Sequence, residues 1–161
     1  MTLTSLLPTL RDSLPAPLEE TAWPAGTHAS PRDVVISGVS ILRLAEICST
    51  PCVYSGAAVI PFSGGTASPD ESVTVIVATV TDVDSTGACL DTRFDLHRPM
   101  WREARLLGRV SHARETALEL RGVDGESARV SLPGDLRPGD VLAVPCAGCF
   151  SVGEVRADRE R

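Results

Sequence analysis

The stretch VTVIVATVTDV, residues 73–83, decides the fold. Its β-branched content is nearly continuous, which suits a long strand buried on both faces for part of its length. Working outward, Asp84-Ser85-Thr86-Gly87 reads as a turn, and residues 87–94 as the strand that returns from it. Further strands are expected over 105–111, 117–123, 128–132 and 141–145, with Asp124-Gly125 as a hairpin turn. Pro133-Gly134-Asp135 and Pro138-Gly139-Asp140 supply two more turns. Short strands at this spacing predict a mainly all-β chain, a small Greek-key-type β-barrel or sandwich.

Upstream of residue 73 the pattern changes. Val34, Val35 and Ile36 form a short strand, Gly38 turns the chain, and Ile41, Leu44, Ala45 and Cys48 recur at helical spacing, so one short helix is expected near 41–48. A strand over 52–55 follows, and the Gly/Ser/Pro-rich residues 55–72 have the composition of a loop. Prolines interleave with Leu6, Leu7, Leu10, Leu14, Leu18 and Trp23, which limits helix to a turn or two between Leu3 and Ser13 and then an extended arm. The expected organisation is an arm over 1–32, a single β-barrel domain over 33–153 and a charged, frayed tail over 154–161. The arm has three readings: a lid, a disordered leader, or a segment exchanged in a dimer.

The chain has 161 residues, 43% of them hydrophobic and 22% charged, enough for one real core. Its net charge of −6 opposes nucleic-acid partners and anionic lipid. No apolar run approaches the roughly 18 residues of a membrane helix, and the first ten residues lack the pattern of a signal peptide, so a cytoplasmic protein is expected. The sequence contains no Lys, Asn or Gln. Without lysine there is no Schiff base to pyridoxal phosphate, no P-loop lysine and no lysine base, and no cofactor is expected.

Two separated stretches carry a family resemblance. Val34 to Ser40, Leu44-Ala45-Glu46 and Thr50-Pro51-Cys52-Val53-Tyr54 resemble the N-terminal strand, turn, helix and "TPxYVY" strand of diaminopimelate decarboxylases and related fold-III pyridoxal-dependent decarboxylases. Residues 132–150, LPGDLRPGDVLAVPCAGCF, look like that family's "LPxDLxPGDLLAVxxTGAY" segment. The family carries a (β/α)₈ barrel of about 250 residues between these halves. Here only residues 55–72 intervene, so the resemblance implies the split β-domain alone. It also implies lost chemistry: Asp124-Gly125-Glu126-Ser127 replaces "CESGD", and Phe150 replaces the "GAY" tyrosine. Arg98-Pro99-Met100-Trp101-Arg102 stands for the substrate segment "RPALY". Decarboxylation is not expected.

The densest polar cluster surrounds that last segment. Asp91, Arg93 and Asp95 alternate as on one strand face, and His97 next to Asp95 or Asp91 has the makings of a carboxylate-oriented general base. Arg98 or Arg102 suits bidentate binding of a carboxylate or enolate, and Trp101, Phe94 and Phe150 would shape a pocket with Cys149 beside them. The competing reading is a solvated loop with surface ion pairs.

The cysteines Cys146-x-x-Cys149 and Cys48-x-x-x-Cys52 raise a zinc or redox module, against which buried small hydrophobes are the simpler account, and no metal is expected. The leading expectation is a cofactor-independent barrel that binds a hydrophobic small molecule, as a tailoring enzyme of specialised metabolism catalysing a cyclisation, pericyclic closure included, or an isomerisation. The alternatives are a non-catalytic pseudoenzyme subunit docked on a partner enzyme and a Cys-based zinc module. A homodimer is compatible with each and is expected.

Overall fold

The computed structural model describes residues 2–94 and 97–157. The chain is mainly β, with 42% strand and 18% helix, and its principal sheet curls into a half-barrel. The expected all-β class holds. No helix among the described residues is long and apolar enough to cross a membrane.

The arm begins with α1 (Leu3–Leu6) and a 3₁₀ turn at Pro8–Asp12, where proline occupies a position whose missing N–H costs nothing. Next come β1 (Thr27–Ala29), β2 (Val34–Ile36) and β3 (Val39–Ser40), a small antiparallel sheet turning at Gly38 with φ +81°. Ser40 caps α2 (Ile41–Cys48), and the Asp33 carboxylate receives the Val34 and Leu42 amides, which locks strand and helix together.

β4 (Cys52–Val59) and β5 (Ala67–Val83) form a long antiparallel hairpin. Most of the expected loop over 55–72 is therefore ladder; the turn spans 60–66 and is closed by Ile60 N–H donating to Thr66 O at 2.8 Å. The small residues that read as a loop have another cause. The arm crosses β4 here: Ala25 N–H donates to Ala57 O at 2.8 Å, and a Cβ on Gly56 would stand 3.0 Å from the Pro24 Cβ.

Beyond β5 come β6 (Gly87–Leu90), β7 (Arg98–Pro99), β8 (Arg105–Leu107), β9 (Glu115–Arg121), β10 (Ser127–Pro133), β11 (Val141–Ala147) and α3 (Val152–Val155). Residues 73–77 of β5 lie between β4 and β11, and its last residues pair with β6 past an irregularity at 80–82. β9 and β10 make the hairpin expected at Asp124-Gly125. β6 runs parallel to β9, so close that a Cβ on Gly87 would sit 1.9 Å from Glu119 O.

β5 separates two cores. Ile76, Ala78 and Val80 face a cluster with Leu90, Phe94, Leu120, Leu142, Val144 and Val155. Val75 and Val77 face the other way, onto Trp23, Val34, Ile36, Ile41 and Ala143. This is the two-faced burial the β-branched run predicts.

Two further boundaries differ from the sequence reading. The strand expected over 87–94 ends at Leu90, because the Asp91 carboxylate intervenes: it accepts the Thr79 amide at 2.8 Å and the Thr50 hydroxyl at 2.7 Å. The tail expected to fray from 154 is tied down to 156, with Val155 fully buried and Arg156 bridging Thr92.

Candidate functional site

The predicted site residues separate into four environments. Asp91 is the corner staple just described, and with the strand ended it does not share a strand face with Arg93, whose backbone amide donates to Val155 O. Phe94 is fully buried, and Trp101 packs on it with ring centroids 4.5 Å apart, so both help fill the first core rather than wall a cavity. Asp95 lies outside the described residues.

His97, Arg98, Cys149 and Phe150 do come together, around an open depression of about 370 Å³ that also includes Glu154. The His97 ring stacks on Phe150 with centroids 3.8 Å apart, and its Nε2 is buried without a hydrogen bond. Glu154 caps α3, and hydrogen bonds from the Ser151 amide and hydroxyl, then the nearby His97, hold its carboxyl below the usual range. That capped carboxylate is a poor proton acceptor.

Arg102 goes elsewhere. It pairs with Glu19 of the arm at 2.9 Å, at the edge of a second cleft of about 390 Å³ between the arm and the barrel. Leu14, Pro15 and Pro17 form its arm side; Leu106, Val110 and Leu132 form its barrel side. The arm is fastened across it at several points. Arg11 Nη1 donates to Ser111 O and Ala113 O, Arg105 Nη1 to Ala16 O, and Trp23 Nε1 to Glu103 Oε2. Asp12 meets His112 at 2.7 Å.

Four arginines and two glutamates line this cleft, in a protein whose net charge is −6. Arg109 is taken up by Asp140, with Nε–Oδ1 and Nη2–Oδ2 both 2.8 Å, and by Asp135. Glu103 accepts the Trp23 indole and the Glu19 amide. Burial pushes the Arg105 guanidinium down from its ordinary value, with Glu103 opposing that shift. Sequence reasoning did not single out Arg11: besides the local Thr4 O, its carbonyl partners Ser111 O and Ala113 O lie about a hundred residues away.

The cysteines do not converge on a metal. Cys146 belongs to the first core and Cys52 to the second, on opposite faces of the sheet, while Cys48 and Cys149 are exposed. Among the described residues no group of three or more His, Cys, Asp or Glu is arranged to hold a metal ion. Burial pushes the Cys146 thiol up to about 12; burial, then Cys48 and Asp91, push Cys52 up to about 11. A thiol reagent at neutral pH is therefore expected to modify Cys48 and Cys149 in the folded protein, and Cys52 and Cys146 only after denaturation, as peptide mass mapping would read. Rapid labelling of Cys146 in the folded protein would contradict its placement.

Compared with protein-family models, curated proteins and solved structures, the chain matches none.

Proposed function

We propose that the chain is a small-molecule-binding half-barrel whose hydrophobic ligand lies in the cleft under the N-terminal arm. One observation carries this reading: the arm is anchored over the groove yet leaves about 390 Å³ of it unfilled, within the size range of ligand sites. Apolar walls with a few inward charges are the composition such sites use. The packing of the N-terminal strands onto the C-terminal ones is compatible with descent from a decarboxylase β-domain.

The reaction this arrangement suits is a cyclisation, pericyclic closure included, or an isomerisation, of the kind found among tailoring steps of specialised metabolism. Confinement selects a reactive conformer, and an arginine at the wall, Arg102 or Arg105, polarises a carbonyl. Neither role needs a cofactor.

The test is native mass spectrometry of the protein taken directly from its producing cells. The expected result is a bound metabolite that the Leu106→Trp variant, with its cleft filled, no longer carries. A ligand-free chain in a stoichiometric complex with another protein would overturn the reading. It would instead favour a non-catalytic docking subunit, for which the exposed Leu3, Leu6 and Leu7 on the arm, at 65%, 57% and 54% exposure, speak.

A further inference from the structure

Among the described residues, two buried side-chain nitrogens have no hydrogen-bond partner: His97 Nε2 and Arg11 Nη2. A buried donor left unpaired costs free energy comparable to a lost hydrogen bond, and more when it is charged, so native proteins seldom leave one without a water or ligand. Each borders a concavity, Arg11 the cleft under the arm and His97 the depression beside Phe150. Arg11 is the more telling. Its side chain is 12% exposed, and among the described residues the only carboxylate paired with it, Glu115, lies 3.9 Å away, beyond hydrogen-bonding reach.

The charges around it narrow the choice of ligand. Arg109 and Arg102 are matched by Asp140, Asp135 and Glu19, which leaves Arg11, with its unpartnered Nη2, and Arg105, which forms no ion pair among the described residues although Glu103 lies near. Among the described residues, the hydrogen bonds of Arg11 and Arg105 all go to neutral carbonyl oxygens. Guanidinium forks match planar two-oxygen anions, and Glu103 and Glu115 in the same lining disfavour a dianion. The surrounding Leu14, Pro17, Leu106 and Val110 are apolar.

We infer that the ligand of this cleft is an apolar monocarboxylate whose head group is received by Arg11 and Arg105 and whose body lies along the arm. This rests on the proposed cleft-binding function and adds the ligand's charge to it.

Titration calorimetry of the full chain with octanoate and with 1-octanol tests it, because the probes share a tail and differ in the head. Octanoate is expected to bind at least about tenfold more tightly. Arg11 also fastens the arm, so the variant is placed elsewhere: Leu14 lines the cleft and is 47% exposed, so its substitution spares the fold. Both substitutions remove an apolar contact from both probes, so the ratio is the readout: Leu14→Glu should cut the preference for octanoate over octanol about tenfold, while Leu14→Gln keeps the wild-type ratio. Equal binding of the two probes would overturn the carboxylate assignment and leave the cleft reading standing. Binding of neither would overturn both. An octanoate-to-octanol ratio unchanged in Leu14→Glu would place the anion outside this cleft and overturn the inference.

Discussion

Replacing Trp23 by alanine is expected to destabilise the protein by about 3–5 kcal/mol, the range for truncating a large buried aromatic side chain. Trp23 has no exposed surface and packs among Val34, Ile36, Ile41, Val75 and Val77, so the cavity would open between the arm and the outer face of β5. The indole N–H also donates to Glu103 Oε2 at 2.9 Å, and its loss leaves that carboxylate with the Glu19 amide. For a chain of this length the midpoint of thermal unfolding should fall by about 6–20 °C. Trp23→Phe keeps most of the volume and removes the hydrogen bond, so it should cost only about 1–2 kcal/mol. If Trp23→Ala unfolds within about 2 °C of the wild type, the arm is not part of the core.

The second large effect is expected at Asp140, whose side chain is 6% exposed and carries both Arg109 bonds as well as the Arg137 amide at 3.0 Å. Asp140→Ala leaves the Arg109 guanidinium with Asp135 alone, at 3.2 Å. With 21% of that side chain still reaching solvent, the loss should be about 3 kcal/mol, at the lower end for breaking a buried pair. The same carboxylate gives a pH dependence. Burial pushes Asp140 up, but hydrogen bonds from Arg109 and the Arg137 amide outweigh it and hold the group below its ordinary 3.8. Asp135 is lowered likewise by Ser111 and Arg109 against its own burial. A carboxyl with a depressed folded-state pKa stabilises fully above its unfolded value and loses that contribution as pH falls through the folded one. Urea midpoints of the wild type should therefore decline from about pH 5 downward, and Asp140→Ala should flatten that decline. A variant with the wild-type slope would show that the Arg109 pair contributes little.

The parts of this structure legible in the sequence are those set by local pattern. The near-continuous β-branched run in 73–83 announced a strand buried on both faces for part of its length, and the structure puts Val75 and Val77 on one core and Ile76, Ala78 and Val80 on the other. Asp124-Gly125 marked a hairpin because few residue pairs accept that turn. The parts not legible were set by contacts distant in sequence. Gly56 lies under Pro24 where the arm crosses β4, a close approach that composition alone cannot distinguish from a loop. Asp91 reads as part of an alternating strand until the Thr50 and Thr79 partners that end it are known. The candidate site suffered most. Phe94 and Trp101 were read as pocket walls because they neighbour charged residues, yet an aromatic beside polar neighbours in sequence can face the interior all the same. The cleft's lining is drawn from the arm, β8 and β10, so no single segment announces it.

The turn at 60–66 is closed by the Ile60-to-Thr66 backbone hydrogen bond directly above the Val59–Ala67 pair, and at its tip Phe62 stands fully out in solvent, outside both hydrophobic clusters. Such a point is a natural splice site. A folded domain whose own termini lie side by side can be inserted there, and the ladder below the splice still closes while both clusters keep every member.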